Sequence, residues 1–235
     1  NVLVMDGQLD SHFIGMLEQR LEKTRFVRVD SETADNLVPR DTKKESGLSG
    51  AETDVFARMF RSAVPHVDKA EFFVTFEQLS AEANPVLITQ NEYMRRMKDM
   101  AAMQPGMSFY GELPDSYNLI VNTGSELVKR IVDEAREKLM PSTAEFTDEL
   151  EKADKELRAV DAEVKDNKPT DEQRKQRTDI EGRMNAARNS RDKLADEYAS
   201  QRPLISQIVD LALLANGLLR GQQLSDFVAR SLKML

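Results

Sequence analysis

The chain has 235 residues, enough for one large domain or two small ones, and no cysteine, which excludes disulfides, thiolate catalysis and thiolate metal sites. Its formal charge of −8, with acidic and basic residues interleaved rather than blocked, argues against a primary nucleic-acid binder and favours a protein partner. It begins at Asn1 with an apolar run, as expected of a piece of a longer protein, and that run lacks the basic flank and cleavage site of a signal peptide.

Residues 1–29 read as strand, helix, strand. Asn1 to Met5 is an apolar run of strand length, Asp6-Gly7 turns the chain, and Phe13, Ile14, Leu17 and Leu21 recur with helical spacing behind a cap at Asp10 or Ser11. Phe26 to Val29 is short and β-prone, and such a unit needs further strands to complete a sheet. Asp30 to Gly50 is polar, with Pro39, Gly47 and Gly50, and reads as a linker. The expected boundaries are therefore 1–45, the end of a preceding domain with its linker, and 46–235.

Ser49 and Glu52 form a capping-box pair, followed by a helical face of Val55, Met59, Phe60 and Ala63 that runs to Pro65. Two strands are predicted next, one with Phe72, Val74 and Phe76 on one side and one over Pro85 to Thr89. Thr89 and Glu92 offer a second capping box, opening a helix with an unusual composition. Five of the eleven methionines fall between Met94 and Met107. Met94, Met97, Met100 and Met103 step by three, so with Tyr93 they cover about half the helix surface, wider than a core face needs. Such a face is either core or, given methionine's flexible and polarizable side chain, a surface for varied apolar partners. Pro105-Gly106 ends it, Phe109 to Leu113 is a possible extended piece, and Leu119 to Val121 is a third strand candidate. Ser125 then opens a helix that buries Leu127, Val128, Ile131 and Val132.

From Ser142 to Ser200 nearly half the residues are charged and Gly182 is the one glycine. Phe146, Leu150, Ala153, Leu157, Val160 and Val164 alternate spacings of four and three, a heptad seam. Pro169 breaks it, and a second seam runs through Ile180, Met184, Ala187, Leu194 and Tyr198 with Arg191 as its polar member. Two matched seams predict an antiparallel helical hairpin with arms of roughly 40 Å. Asp148–Lys152, Glu151–Lys155 and Asp154–Arg158 place acid before base in the favourable order. After Pro203, Leu204, Ile208, Leu211, Ala215 and Leu218 form one heptad line, while Ile205, Val209, Ala212 and Leu213 line other sides. Asp210 and Asn216 interrupt this apolar stretch, which is too short to span a bilayer. Leu224, Phe227, Val228, Leu232 and Leu235 give a last amphipathic helix. This terminal pair packs either into the core or against a second copy.

Motifs for catalysis are absent. The chain has no GxxxxGK[ST] loop, no GxGxxG after a strand and no HExxH, and His12 and His66 have no second histidine at ligand spacing. The fold class expected is α+β: a small mixed sheet with helices, a C-terminal helical dimerisation bundle and an inserted antiparallel coiled-coil hairpin over 142–200.

Several segments, in order, resemble one known family. These are MDGQLDSHFIGMLEQ with FVRVD, PVLITQNEYMRRMKDMAAMQ, YNLIVN, DLALLANGLL and FVARSL. Together they are similar to the heat-shock protein 90 chaperones, most of all to the bacterial (HtpG-type) members, over about 1–135 and 203–235. The resemblance implies that 1–45 ends a middle domain and that 46–235 is a C-terminal dimerisation domain of a cytoplasmic stress chaperone. It implies a homodimer held through Leu204, Ile208, Leu211, Ala215, Leu218, Leu224, Phe227, Val228 and Leu232. It also implies that Tyr93, Met94, Met97, Met100, Met103, Met107 and Phe109 face unfolded client proteins. The family's ATP and magnesium are bound in an N-terminal domain, so this piece is not expected to be an ATPase, and it is expected to hold no cofactor or metal and to bind no nucleic acid or membrane. Two departures stand out. Asn122-Thr123-Gly124-Ser125 replaces the family's Asn-Pro-Asp-His, and the charged hairpin has no counterpart in the best-known members. A coiled-coil adaptor that docks a protein through 142–200 is the alternative.

Overall fold

The computed structural model describes residues 3–5, 10–24, 26, 45–90, 94–98, 114–164 and 169–234. Helix α1 spans Asp10–Arg20, α2 Gly50–Ser62, α3 Glu126–Lys138, α4 Met140–Val164, α5 Asp171–Ser200, α6 Pro203–Ala215 and α7 Gln222–Met234. Strands β1 (Ala70–Glu77), β2 (Val86–Gln90) and β3 (Asp115–Asn122) form a mixed sheet in the order β1-β3-β2. β3 runs parallel to β1, with Phe72 opposite Tyr117, and antiparallel to β2, with Ile88 opposite Leu119. The architecture is α+β, as the patterning implies.

The core lies where one face of the sheet meets the helices. Val55, Phe56, Met59 and Phe60 of α2 pack with Phe72, Leu119, Val121, Val128, Ile131, Val132, Val209 and Leu213. The capping box that starts α2 is made in full: Glu52 N–H donates to Ser49 Oγ at 3.2 Å and Ser49 N–H to Glu52 Oε2 at 2.7 Å. Burial alone would raise the Glu52 carboxyl, but hydrogen bonds from Arg136 and Ser49 outweigh it and hold the group below its ordinary value.

β3 is longer than the three residues anticipated because it is the central strand, bonded on both sides, so its polar first half is carried by the ladder. At its end Asn122 is fully buried, donating through Nδ2 to Ser80 O at 2.9 Å and accepting Leu79 N–H at 3.0 Å and Gly124 N–H at 2.9 Å. A Cβ on Gly124 would sit 2.1 Å from the Leu79 carbonyl oxygen. That close approach requires glycine at this position of the turn.

The N-terminal reading needs correction. Leu3, Val4 and Met5 are exposed and form no strand, because no described strand lies beside them to complete a ladder. Of the other expected strand, only Phe26 is described, and it is not in a strand; 27–44, with most of the expected linker, lies outside the described residues, and the described end of that linker runs into the Ser49 cap and Gly50, the first residue of α2.

Candidate interaction surfaces

Three surfaces were expected to meet partners: the terminal helix pair, the methionine segment and the hairpin. In the terminal pair, Pro203 opens α6 where a helix needs no N–H, and Gly217, at φ +67°, takes the left-handed conformation just after its end. One side of α6, bearing Ile205, Ile208, Val209, Ala212 and Leu213, is buried in the core. Part of the remaining arc of the helix is left uncovered: Leu211 is 53% exposed, and Leu214 and Ala215 are also exposed. Helix α7 contributes no buried residue at all. Its Leu224 and Phe227 are half-buried against the core, whereas Val228 is 47% and Leu232 68% exposed.

The predicted heptad line of α6 is therefore split. Leu211 and Ala215 are open, Leu204 and Leu218 are half-buried, and Ile208 is covered by the chain's own core. The reason is that α6 has two apolar sides, and a heptad count cannot tell which side the sheet takes.

Between α6 and α7 lies a polar network that the sequence reading missed. Asp210 is only 6% exposed and pairs with Arg230. Arg230 Nε also donates to Gln207 Oε1 at 3.0 Å, Gln207 Nε2 to Ser231 Oγ at 2.6 Å, and Ser231 Oγ to Phe227 O at 2.8 Å. Burial pushes the Asp210 carboxyl above its ordinary value, with Arg230 opposing and Asp226 adding to the rise. An acid at Asp210, amid the apolar run from Ile208 to Leu214, was the available signal.

In the methionine segment, residues 94–98 are helical, with Met94 and Met97 half-buried. Tyr93, Met100, Met103, Met107 and Phe109 lie outside the described residues. The segment is held from two directions. Arg96 donates to Glu18 Oε2 at 2.8 Å and to Phe26 O at 2.9 Å, and Lys98 Nζ donates to Asp115 Oδ1 at 2.6 Å. Glu18 itself accepts Phe26 N–H at 2.7 Å, so α1 is tied to the methionine segment by one carboxylate.

The hairpin is α4 and α5, about 37 and 45 Å long at 1.5 Å per residue. A second full capping box starts α5, with Thr170 and Gln173 bonding reciprocally. Ala153, Ile180 and Ala187 are buried in the seam, as predicted. Of the three predicted pairs along α4, the structure makes Asp154–Arg158 at 2.8 Å. The arms are joined instead by Arg183, which reaches Glu149 at 2.6 Å and Glu156 at 2.7 Å. At the base, Arg58 Nε donates to Asp196 Oδ1 at 2.6 Å, and the buried Arg191 approaches Asp54 at 3.5 Å, so α5 is pinned along α2. An open groove of about 360 Å³ beside this pair is lined by Arg58, Ser62, Asp196, Ser200 and Ser206, and its two charges are spent on each other. Among the described residues the hairpin exposes no large apolar side chain. Nor, among the described residues, does any cluster of three His, Cys, Asp or Glu come together to hold a metal, and no helix is long and apolar enough to cross a membrane.

No protein-family model and no solved structure matches the chain. Curated proteins do, all of them HtpG chaperones among those compared. It is 40% identical over 238 residues to the chaperone protein HtpG of Bacteroides thetaiotaomicron, 42% over 240 to that of Porphyromonas gingivalis and 39% over 238 to that of Bacteroides fragilis. Each match covers 100% of this chain and 35% of the relative, so the chain spans about a third of the length of such a protein. The match extends through 142–200, so the hairpin falls within the similarity to these relatives. With this identity along its whole length, the chain matches about a third of the length of the HtpG chaperones, as expected of a fragment of such a protein.

Proposed function

We propose that the chain is the region of a cytoplasmic ATP-dependent chaperone that joins two copies and contributes a contact for unfolded client proteins. The observation that carries this reading is the open apolar side of the terminal helix pair: Leu211, Leu214, Val228 and Leu232 stand exposed on two adjacent helices. Scattered exposed leucines need no explanation, but a row of them on neighbouring helices marks a contact surface. A second copy suits it, because two such pairs stack into a four-helix bundle and each side chain gains on the order of 1 kcal/mol by completing its burial. The resemblance assigns dimerisation to the same helices. Residues 1–45 on this reading end a middle domain, and 46–235 form the dimerisation domain with the hairpin inserted.

Client contact rests on Met94 and Met97, half-buried side chains on a segment anchored at Arg96 and Lys98, with the remaining methionines beyond. ATP and magnesium belong to the part of the protein outside these 235 residues, so this region itself is no ATPase and holds no cofactor. Its partners are a second copy and client proteins, not nucleic acid or membrane. The adaptor alternative is less well supported, since the hairpin covers its own apolar seam.

Sedimentation of the chain tests the reading. The native chain is expected at twice its protomer mass, and Leu211→Asp with Leu232→Asp at one protomer mass with unchanged helicity. A double variant that stays dimeric overturns the assignment. Met94→Ser with Met97→Ser is expected to weaken suppression of client aggregation while leaving the dimer intact; undiminished suppression returns those methionines to the core.

A further inference from the structure

The terminal pair raises a question that its apolar surface does not answer. Helix α7 buries no side chain completely; Leu224 and Phe227 are half-buried against the core and Gln223 donates to His66 O, and these contacts fix its angle and register on α6 only in part. Apolar contacts are non-directional: sliding or rotating α7 exchanges one leucine contact for another at little cost. The polar network between the helices is directional. Arg230 must meet Asp210 and Gln207 together, Gln207 must present its oxygen to Arg230 and its amide to Ser231, and Ser231 must reach back to Phe227 O. A shift of one residue along α7 breaks all of these links across the two helices and leaves a carboxylate buried without its cation.

From this we infer that Asp210, Arg230, Gln207 and Ser231 are positioning residues for the dimer, setting the one register of α7 on α6 in which Leu211, Leu214, Val228 and Leu232 make a single surface that fits a second copy of this chain. The inference rests on the proposed dimer and adds what selects its geometry. A buried polar pair contributes little net stability compared with apolar side chains of similar volume, and its best-attested use is to specify register. The network lies between the helices rather than on the open side, so it acts through the placement of α7.

The test uses the absence of native cysteine. A single Ser225→Cys, exposed and outside the network, carries a spin label, and the distance between labels in the dimer is measured alongside sedimentation and far-ultraviolet circular dichroism. In the native background one narrow distance is expected. With Asp210→Leu and Arg230→Met together, helicity and melting are expected to hold, while the distance distribution broadens or the dimer weakens by about tenfold or more. Gln207→Leu severs a link without burying a charge and is expected to broaden the distribution less; it stands in should the double variant not fold. A narrow, unshifted distance with affinity within about twofold of native in the folded variants overturns the positioning role. A native chain that sediments as a monomer overturns the dimer itself, a separate failure visible before any network variant is made.

Discussion

The two helix pairs α4–α5 and α6–α7 are separated by only Gln201 and Arg202, yet they treat their apolar residues in opposite ways. The hairpin arms cover each other: Ala153, Ile180 and Ala187 are buried between them, and no large apolar side chain is exposed among the described residues. The terminal pair covers only the side facing the sheet and leaves Leu211, Leu214, Val228 and Leu232 in the open. One pair closes its apolar seam on itself and the other leaves an apolar side open. The difference cannot be read from helix length or hydrophobic content, because the self-sufficient pair is the more charged one. It comes from whether the seam residues find their partners within the same chain. Charge then has different tasks in the two places. In the hairpin, Arg183, Glu149 and Glu156 decorate an outer face, whereas in the terminal pair Asp210 and Arg230 are taken between the helices.

This contrast can be broken or sharpened by experiment. The largest expected effect is on the hairpin seam. Ala153→Asp puts an unpaired carboxylate where Ala153 is fully buried, costing about 3 kcal/mol or more, and is expected to unfold the far part of both arms. Hydrogen exchange is expected to show lost amide protection there with the dimer retained; loss of the dimer as well would mean that the pairs are not independent. Next in size is concentration. On the proposed dimer, in which only the terminal pair meets a second copy, the stability of the whole chain is expected to rise by roughly 1.4 kcal/mol per tenfold increase in protein, while exchange confined to the hairpin tip stays constant. A melting temperature independent of concentration contradicts the incomplete-pair reading.

Smaller effects follow from the two shifted carboxyls, which move in opposite directions. Glu52 is held below its ordinary value, so its contribution is present above the unfolded-state pKa and is lost as pH falls through the depressed folded one. Asp210 is raised, so its folded form binds the proton more tightly, and stability falls as pH rises from the ordinary value through the raised one. Acid is therefore expected to weaken the start of α2 while sparing the α6–α7 pair; Glu52→Gln should remove the first dependence and Asp210→Asn the second in pH-dependent thermal melts. The smallest effect belongs to Arg183→Ala, which removes pairs open to solvent on the hairpin surface and is expected to shift the melting temperature by no more than about 2 °C. A larger drop would show that the arms depend on their surface charge.

Much of the site was legible before any coordinates. The Ser49–Glu52 box, the two seams meeting at Ala153 and Ile180, and the amphipathic last helix follow from spacing, because side chains three and four apart share a helix face whatever surrounds them. The length of β3 was not legible, since its polar residues are held by neighbours on both sides. The strand expected over the first five residues does not form at Leu3 to Met5, because a strand is stable only in company. The partner of Asp210 is another omission, because ion pairs between helices depend on how the helices cross.

By itself, then, the order of residues determined which segments are helical, where they start, and that the hairpin can close on itself. All of these are settled within a few turns of chain, where covalent spacing decides who meets whom. Only the tertiary structure decided which side of α6 the sheet claims, that Ile208 lies inside the protomer while Leu211 stays outside, and that Asp210 is held by Arg230. Those outcomes depend on contacts between residues distant in sequence or on separate helices, and a helix with two apolar sides carries no local mark of which will be covered.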